Sequence, residues 1–287
     1  MIHSTQEKIK KNQLVVSDLS VGFGGIQNHD PFLAAENVSF SVHPGERFAL
    51  VGESGSGKTV TALSLLKLLS EAKVTGEVFW NGENLLQIED ERIRSIRGKE
   101  ISMIFQEPMS ALNPLLTIGE QISEVILNHD FLTNKEALNK SIELLDKTGV
   151  DDPSRRVHSY PHQLSGGQRQ RALISMAIAC KPKLLIADEP TTALDVTIRQ
   201  QILSMLFDLQ RTEGMSILLI THDLPLVKHF ADRVGVMKEG NLIEVGEKEQ
   251  IFSSPEHSYT KKLLDSRPKP LDPKLIKRSV LVEARNF

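Results

Sequence analysis

The sequence predicts an α/β fold in which helices cover a largely parallel sheet. The pattern RFALVG at 47–52 is typical of a strand, and it runs through a glycine-rich turn into the helical pattern TVTALSLLKLL at 59–69. Further along, helical and strand patterns alternate over 166–232, with strands predicted at 183–188 and 216–221. Such alternation is typical of parallel strands that are connected by helices.

A long segment without strand character separates these two regions. Residues 106–163 are polar and punctuated by proline, and they include the amphipathic patterns TIGEQISEVILN and ALNKSIELLDKTGV. We interpret the segment as a helical insertion. Residues from 255 onward are polar and rich in proline, which is typical of a tail or linker. Strand patterns outside the alternating region lie at 13–23, 36–42, 74–80 and 101–105, and a hairpin pattern with EGN as its turn lies at 234–247.

Composition argues against several classes of protein. The formal net charge is −3, so the chain lacks the overall positive charge that is typical of nucleic-acid-binding proteins. We interpret the basic run at 92–99 as a solvated face. The single cysteine, Cys180, excludes an internal disulfide and a cysteine-ligated metal cluster within one chain. The most apolar runs are strand-sized, far below the ~18 residues that a membrane-spanning helix needs.

A glycine-rich turn carries the strongest chemical signal. GESGSGKT at 52–59 fits the phosphate-loop pattern in full and stands between a strand and a helix, as that loop requires. Its glycines let backbone N–H groups turn towards phosphates, and the following helix adds its positive N-terminal end. The lysine supplies charge for the β- and γ-phosphates, and the threonine hydroxyl suits Mg²⁺. The predicted nucleotide-binding residues are Gly52, Glu53, Ser54, Gly55, Ser56, Gly57, Lys58 and Thr59.

Polar residues that follow neighbouring strands are predicted to meet these phosphates. Asp188 ends the pattern LLIAD and is the predicted metal-side acid, whereas Glu189 is the candidate to orient or deprotonate the attacking water. His222 follows the strand SILLIT, which places it at the same sheet edge and predicts contact with the γ-phosphate. Gln106 follows ISMIF, and its amide could hold water or Mg²⁺. Phe23 could stack on a base, with an ordinary core role as the open alternative.

A second glycine turn, LSGGQ at 164–168, raises a different question. Ser165 and Gln168 fit a capping box, which by itself explains the turn as a helix start. Gly166 and Gly167, however, leave backbone N–H groups of a helix N-terminus open to an anion. Because the phosphate loop already holds one side of a nucleotide, the second turn is either idle or serves a nucleotide held elsewhere.

Together these motifs resemble the ATPase subunits of ABC transporters. GESGSGKT matches Walker A, LSGGQ the signature, LLIADE Walker B, TTALD at 191–195 the D-loop, and His222 the switch histidine. The resemblance covers residues 13–254 and implies one ABC ATPase domain, with a core of the P-loop NTPase type. An antiparallel β subdomain and an inserted helical subdomain at about 106–166 would complete it, after a flexible N-terminal tail at 1–12. ATP and Mg²⁺ are the implied cofactors.

The family also implies a role for each motif. In its head-to-tail dimer, the signature of one ATPase domain closes over the ATP that the other domain's Walker A binds. Phe23 would take the adenine-stacking position, and Glu189 would be the general base. The residues implied for catalysis are Glu189, His222, Gln106 and Lys58; for Mg²⁺, Thr59, Gln106 and Asp188; for the D-loop, Asp195; and for action on the partner's ATP, Ser165, Gly166, Gly167 and Gln168.

Within this family, three stretches are similar to the peptide and nickel importers: MIFQEPMSALNPLLTIGEQI at 103–122, YPHQLSGGQRQR, and SPEHSYTKKLLDSRP at 254–268. We therefore expect an ATPase that drives import of short peptides or peptide-like substrates, with a nickel importer as an alternative. Its implied place is peripheral, at the cytoplasmic face of the inner membrane. Its implied partners are permease subunits and, indirectly, a periplasmic or extracellular substrate-binding protein, but no nucleic acid. The alternative from another class is a soluble ABC-type ATPase that acts on DNA or ribosomes.

The final stretch suggests a second ATPase domain. SVLVEARNF at 279–287 resembles the chain's own QLVVSDLSVGF, and it follows a tail and linker at 255–278. Since the peptide-importer family includes polypeptides with two ATPase domains, we interpret 279–287 as a possible first strand of such a domain. An ordinary tail that packs as one extra strand is the alternative. The partner ATPase domain is thus an identical chain, a paralogue or the second half of a tandem protein.

Overall fold

The computed structural model describes residues 12–24, 32–107, 111–192 and 194–265. The expected tail at 1–12, apart from residue 12, and the possible strand at 279–287 lie outside the described residues, as does the linker beyond residue 265. The strands are β1 Leu14–Phe23, β2 Phe32–Val42, β3 Arg47–Val51, β4 Ala72–Trp80, β5 Glu83–Asn84, β6 Ile101–Ile104, β7 Leu184–Asp188, β8 Ser216–Thr221, β9 Arg233–Lys238 and β10 Asn241–Glu247. The helices are α1 Lys58–Leu65, α2 Asp90–Ile96, α3 Ile118–His129, α4 Asn134–Lys147, α5 Pro153–Arg156, α6 Gly166–Ile178, α7 Val196–Glu213, α8 Leu224–Phe230, α9 Lys248–Ser253 and α10 Ser258–Asp265, with a 3₁₀ turn at Pro161–Gln163.

The strands form one mixed sheet in the order β5-β4-β1-β2-β10-β9-β3-β8-β7-β6. From β9 to β6, each strand runs parallel to its neighbour. Strands β1, β2, β4 and β5 pair antiparallel, and this part joins β10 through the parallel pair Asn241 and Glu36. The predicted α/β fold with a parallel core is therefore confirmed.

Both faces of the parallel sheet are buried, which explains why its strands are continuously apolar. In β7, Leu184 and Ile186 pack into one hydrophobic cluster, and Leu185 and Ala187 pack into the cluster on the opposite face. Side chains of a strand point alternately to its two faces, so a strand covered on both sides has no polar positions. The ends of these strands are consequently the places where polar groups meet solvent.

The inserted helices share one of these clusters with the sheet. Ile118 and Ile122 of α3 are fully buried in the same cluster as Ile174 of α6 and Ile104 of β6. Capping boxes start both long helices: Thr117 caps α3, and Thr133 caps α4. Each such cap stabilises a helix by about 1 kcal/mol. The insertion predicted at 106–163 is thus helical, and α6 extends it to the start of the next strand.

Two parts of the chain differ from the sequence predictions. Residues 258–265, expected as tail or linker, form the helix α10; the Glu244 carboxylate accepts the backbone N–H groups of Glu256 and His257 and so fixes the turn before it. The basic run at 92–99 is also more than a solvated face. Arg97 in this run donates hydrogen bonds to the carbonyl oxygens that end α1, at 2.6–2.9 Å. Neither contact leaves a periodic signal in the sequence, because both depend on residues that are distant along the chain.

Candidate nucleotide-binding site

The phosphate loop at 52–59 connects β3 to α1 and packs closely against neighbouring backbone. A Cβ atom on Gly52 would lie 2.3 Å from the carbonyl oxygen of Met237. A Cβ atom on Gly57 would lie 2.3 Å from that of Ala34, and the φ angle of Gly57 is +95°. Side chains are excluded at both positions, since neither backbone carbonyl can move without disturbing its strand. The loop therefore needs these glycines for packing as well as for its turn.

Lys58 lies buried across the loop. Its ammonium donates hydrogen bonds to the carbonyl oxygens of Gly52 and Glu53, at 2.9 and 2.8 Å, and to the Ser56 hydroxyl at 3.2 Å. Burial lowers the pKa of Lys58 from its usual value, although the nearby carboxylates act against this shift. The lysine is thus held over the loop by groups of the loop itself, within reach of the place that phosphates would take.

Thr59 and Asp188 form an oxygen-rich pair at the start of α1 and the end of β7. The Thr59 hydroxyl donates to the Asp188 carboxylate over 3.2 Å. Asp188 is buried, and burial raises its pKa to about 6, even though the hydrogen bond from Thr59 acts to lower it. A buried carboxylate without a cation partner is costly, so the pair suits a hard cation that prefers oxygen ligands.

Glu189 stands at the centre of a hydrogen-bonded group. Its backbone adopts the left-handed region, with φ +43°, and its N–H donates to the Ile220 carbonyl at 2.8 Å. The carboxylate lies 2.9 Å from Nδ1 of His222 and accepts from the hydroxyl of Thr192 at 2.7 Å. The amide of Gln106 donates to it at 3.4 Å. The structure therefore brings together three residues that the sequence predicts at the ends of β6, β7 and β8.

The charge state of Glu189 fits a base. Burial acts to raise the pKa of its carboxyl, but hydrogen bonds from Thr192 and His222, together with the charges of His222 and Lys58, outweigh burial and lower the pKa. The carboxylate is ionised at neutral pH for this reason. Several donors hold this carboxylate in place, and its role as the base that accepts a proton from water stays a prediction.

The second glycine turn forms the helix start that its sequence predicts. The Ser165 hydroxyl accepts the N–H of Gln168 at 3.3 Å, and the Gln168 side chain accepts the N–H of Ser165 at 3.1 Å. A Cβ atom on Gly167 would lie 3.1 Å from Ile198 of α7. Among the residues that the structure describes, no hydrogen bond joins 165–168 to the phosphate loop at 52–59. The capping box is thus present, and the action of this turn on a nucleotide stays a prediction.

Two further predicted residues, Asp195 and Phe23, have structural positions in the described part of the chain. Asp195 caps α7 by accepting the N–H of Ile198 at 2.9 Å. Phe23 ends β1 and pairs with Phe32, two residues before the Ala34 carbonyl that contacts the phosphate loop at Gly57. Phe23 therefore lies beside the strand that packs on the phosphate loop, and the roles of both residues towards a nucleotide stay predictions.

Sequence reasoning missed two contributors to the site. Thr192, which lies inside the TTALD motif, holds the Glu189 carboxylate; its spacing of three residues from that acid was the available signal. Arg199 of α7 donates to the carboxylate of Asp223 at 2.7 Å and thereby ties the helix after the D-loop to the residue after His222. No local pattern indicates this second contact.

Comparison with known proteins places these motifs in a family. The family model described as "ABC transporter" matches residues 35–192, and the model described as "Oligopeptide/dipeptide transporter, C-terminal region" matches residues 243–285. The second match includes α10. No helix in the described ranges is long and apolar enough to cross a membrane.

Several curated proteins are similar over most of the chain. A peptidoglycan transport ATP-binding protein of Agrobacterium fabrum is 52% identical over 89% of this chain and 47% of its own length. A dipeptide transport ATP-binding protein of Bacillus subtilis is 50% identical over 82% of this chain and 71% of its own. An oligopeptide transport ATP-binding protein of the same organism is 45% identical over 89% of this chain and 72% of its own length. The chain thus spans about half the length of the first of these relatives.

Solved structures agree in fold. The dimeric post-hydrolysis state of the ATP-binding cassette MJ0796, bound to ADP and Pi, matches with a TM-score of 0.73 and 27% identity, over 82% of this chain and 98% of that one. The structure of cbiO1 from Clostridium perfringens, part of the ABC transporter complex cbiONQ, matches with a TM-score of 0.70 and 26% identity. The match covers 85% of this chain and 92% of that one.

Proposed function

Because the chain belongs to the ABC transporter family of ATP-binding proteins, we propose that it is the ATP-hydrolysing subunit of an importer for short peptides or peptide-like substrates. The observation that carries this proposal is the pairing of an intact phosphate and base site with the oligopeptide/dipeptide C-terminal region. Relatives at about 50% identity are named for dipeptide and peptide transport. A DNA- or ribosome-acting ATPase has no comparable support.

The contacts of the site suggest a role for each of its residues in binding and hydrolysing ATP. Lys58 exchanges the loop carbonyls for the β- and γ-phosphates, while backbone N–H groups of the loop hold the remaining oxygens. Thr59 and Asp188 would hold Mg²⁺, which would neutralise charge on the phosphates, with Gln106 as a further candidate ligand. Glu189 orients and deprotonates the attacking water, and His222 contacts the γ-phosphate.

The signature turn then serves a nucleotide on another ATPase domain. Ser165, Gly166, Gly167 and Gln168 start α6. The capping box takes up the N–H groups of Ser165 and Gln168, so those of Gly166 and Gly167 would be the donors to an anion at this helix N-terminus. The dimeric state of the similar cassette MJ0796 supports this reading. Permease subunits at the inner membrane would be the chain's other partners, with the protein bound peripherally to their cytoplasmic side.

Uptake assays in a gene-deletion strain test the proposed substrate. Loss of radiolabelled dipeptide and tripeptide uptake, with normal uptake of ⁶³Ni²⁺, is the expected result. The wild-type gene should restore peptide uptake, and a Lys58→Ala variant produced at the same level should not. Loss of nickel uptake alone would favour the nickel-importer alternative, and unchanged uptake of both would contradict an importer function.

A further inference from the structure

A single ion pair connects α7 to the residue after His222. Arg199, in the first turn of α7, donates to the Asp223 carboxylate at 2.7 Å. A groove of about 540 Å³ lies between α7 and α8, and both residues of the pair line it. Within the part of the chain that the structure describes, no other hydrogen bond joins α7 to residues 222–230. The pair is therefore the direct polar link across this groove.

Asp223 holds the chain on both sides of itself. One oxygen of its carboxylate accepts the N–H of Leu226 at 3.1 Å and so caps α8, and its own N–H donates to the Thr221 hydroxyl at 3.0 Å. His222 lies between Thr221 and Asp223. Its side chain is 61% exposed, and the bond between its Nδ1 and Glu189, at 2.9 Å, fixes only one end of the ring. The position of this imidazole therefore depends on the backbone that Asp223 holds.

The start of α7 is fixed on another side by α6. A Cβ atom on Gly167 would lie 3.1 Å from the Ile198 side chain, so the two helices pack closely there. Arg171 of α6 donates to the Gln201 side chain at 3.1 Å. Arg199 lies between these two contact positions along α7, so its backbone is held in place. Hydrogen bonds between charged groups are shorter and stronger than neutral ones, so the pair can fix the start of α8 against α7.

We propose that Arg199 is a positioning residue for ATP hydrolysis: its ion pair with Asp223 fixes the backbone of His222 and so holds the imidazole against the Glu189 carboxylate. This role rests on the proposed function, through ATP hydrolysis at Glu189 and His222, and is independent of the transported substrate. Arg199 contacts neither ATP nor the attacking water in this role. Loss of the pair therefore changes the rate of hydrolysis and leaves the affinity for ATP largely unchanged.

Arg199→Met and Asp223→Asn each remove the pair. In Asp223→Asn, the amide oxygen can still cap α8, but an amide N–H₂ group replaces the oxygen that faces the guanidinium. We expect kcat to fall about tenfold in each variant, because a misplaced catalytic group slows the chemical step, and KM for ATP to stay within about twofold. The double variant should lose no more than either single variant, since both changes remove the same contact.

Asp232→Asn is the matched control. Asp232 follows the other end of α8 and pairs with Arg47, so the same substitution removes an ion pair of the same kind away from His222. Thermal melts should show a loss of stability for this variant, and its kcat should equal that of the wild type. A comparable fall in kcat for the control would mean that general destabilisation, and not the position of His222, lowers the rate.

The ring nitrogens of His222 give a readout that does not depend on activity. An ionised carboxylate can only accept, so the Glu189 contact keeps the proton of a neutral imidazole on Nδ1. The ¹⁵N shifts of the ring can be measured in histidine-labelled protein without nucleotide and assigned with His222→Gln. They should show this form in the wild type and in Asp232→Asn. In Arg199→Met they should move towards the shifts of free histidine.

Three results would overturn the proposal: a kcat for Arg199→Met within twofold of the wild type, a rise in KM with unchanged kcat, or wild-type ring shifts for His222 in that variant. If the wild-type chain did not hydrolyse ATP, the proposed function would fail instead. The ring shifts would still decide whether Arg199 positions His222.

Discussion

Glu189→Gln should separate ATP binding from ATP hydrolysis. The glutamine amide can still donate to the Thr192 hydroxyl, and its oxygen can still accept from His222, so the contacts at 2.7 and 2.9 Å can re-form. The fold and the phosphate loop should thus be retained, with a change in unfolding free energy of about 1 kcal/mol or less. What the variant loses is the ionised carboxylate that accepts a proton from water.

The expected loss of turnover follows from that single change. General-base catalysis contributes about 10²–10⁴-fold, so kcat should fall by this factor, which is about 3 to 5 kcal/mol in activation free energy. Phosphate release under saturating ATP and Mg²⁺ measures kcat, and ATP titration checks that the Kd stays within about twofold. Thr192→Val is the matched comparison, because it keeps the base and removes one hydrogen bond that orients it. The fall in kcat for Thr192→Val should be smaller than that for Glu189→Gln. A Glu189→Gln variant with at least a tenth of wild-type turnover would refute the assignment of the base.

Three other predictions concern the loop, the second turn and a structural ion pair. Gly57→Ala should lower the melting temperature and abolish ATP binding, because the added Cβ would lie 2.3 Å from a backbone carbonyl oxygen. Gly55→Ala is the control: its Cβ would meet no atom within 4 Å, so thermal melts should show only the strain of its positive φ. Ser165→Ala should slow ATP hydrolysis and lower the unfolding free energy by about 1 kcal/mol through the lost cap. The Kd for ATP of the isolated monomer should not change; a large rise in that Kd would mean that the turn serves its own nucleotide. Asp232 has a lowered pKa, since hydrogen bonds from Arg47 outweigh the opposing effect of burial. The stabilisation by this carboxylate is full above about pH 4 and is lost as pH falls through the lowered pKa. The unfolding free energy of Asp232→Asn should therefore fall less than that of the wild type over this acid range, as measured by denaturation at each pH.

The strand ends of the site could be predicted because their signals are local. The run SILLIT gives β8 with the bounds that the structure has, Ser216–Thr221, and the residue after it is His222. Continuous apolar character marks a strand covered on both faces, and parallel direction brings the ends of β6, β7 and β8 to one edge. The meeting of Gln106, Glu189 and His222 follows from these two facts alone.

Other features could not be predicted because they depend on long-range contacts. Helix α10 has a polar sequence that reads as a tail, and its turn is fixed by Glu244, a residue on another element. The role of Lys58 as a donor to its own loop is also invisible in the motif, because the motif indicates a lysine for phosphates and not which loop carbonyls its ammonium contacts. Its buried ammonium is seen only once the loop carbonyls have positions in space.

The position of the helical insertion has a consequence for how such ATPases can diversify. Strands β6 and β7 are adjacent and parallel, so the whole insertion and α6 form part of one connection between neighbouring strands. A connection of this kind can lengthen, shorten or be exchanged without altering the order of the sheet. The insertion can therefore change in length and sequence while the strand ends that carry Gln106, Glu189 and His222 keep their places in the sheet.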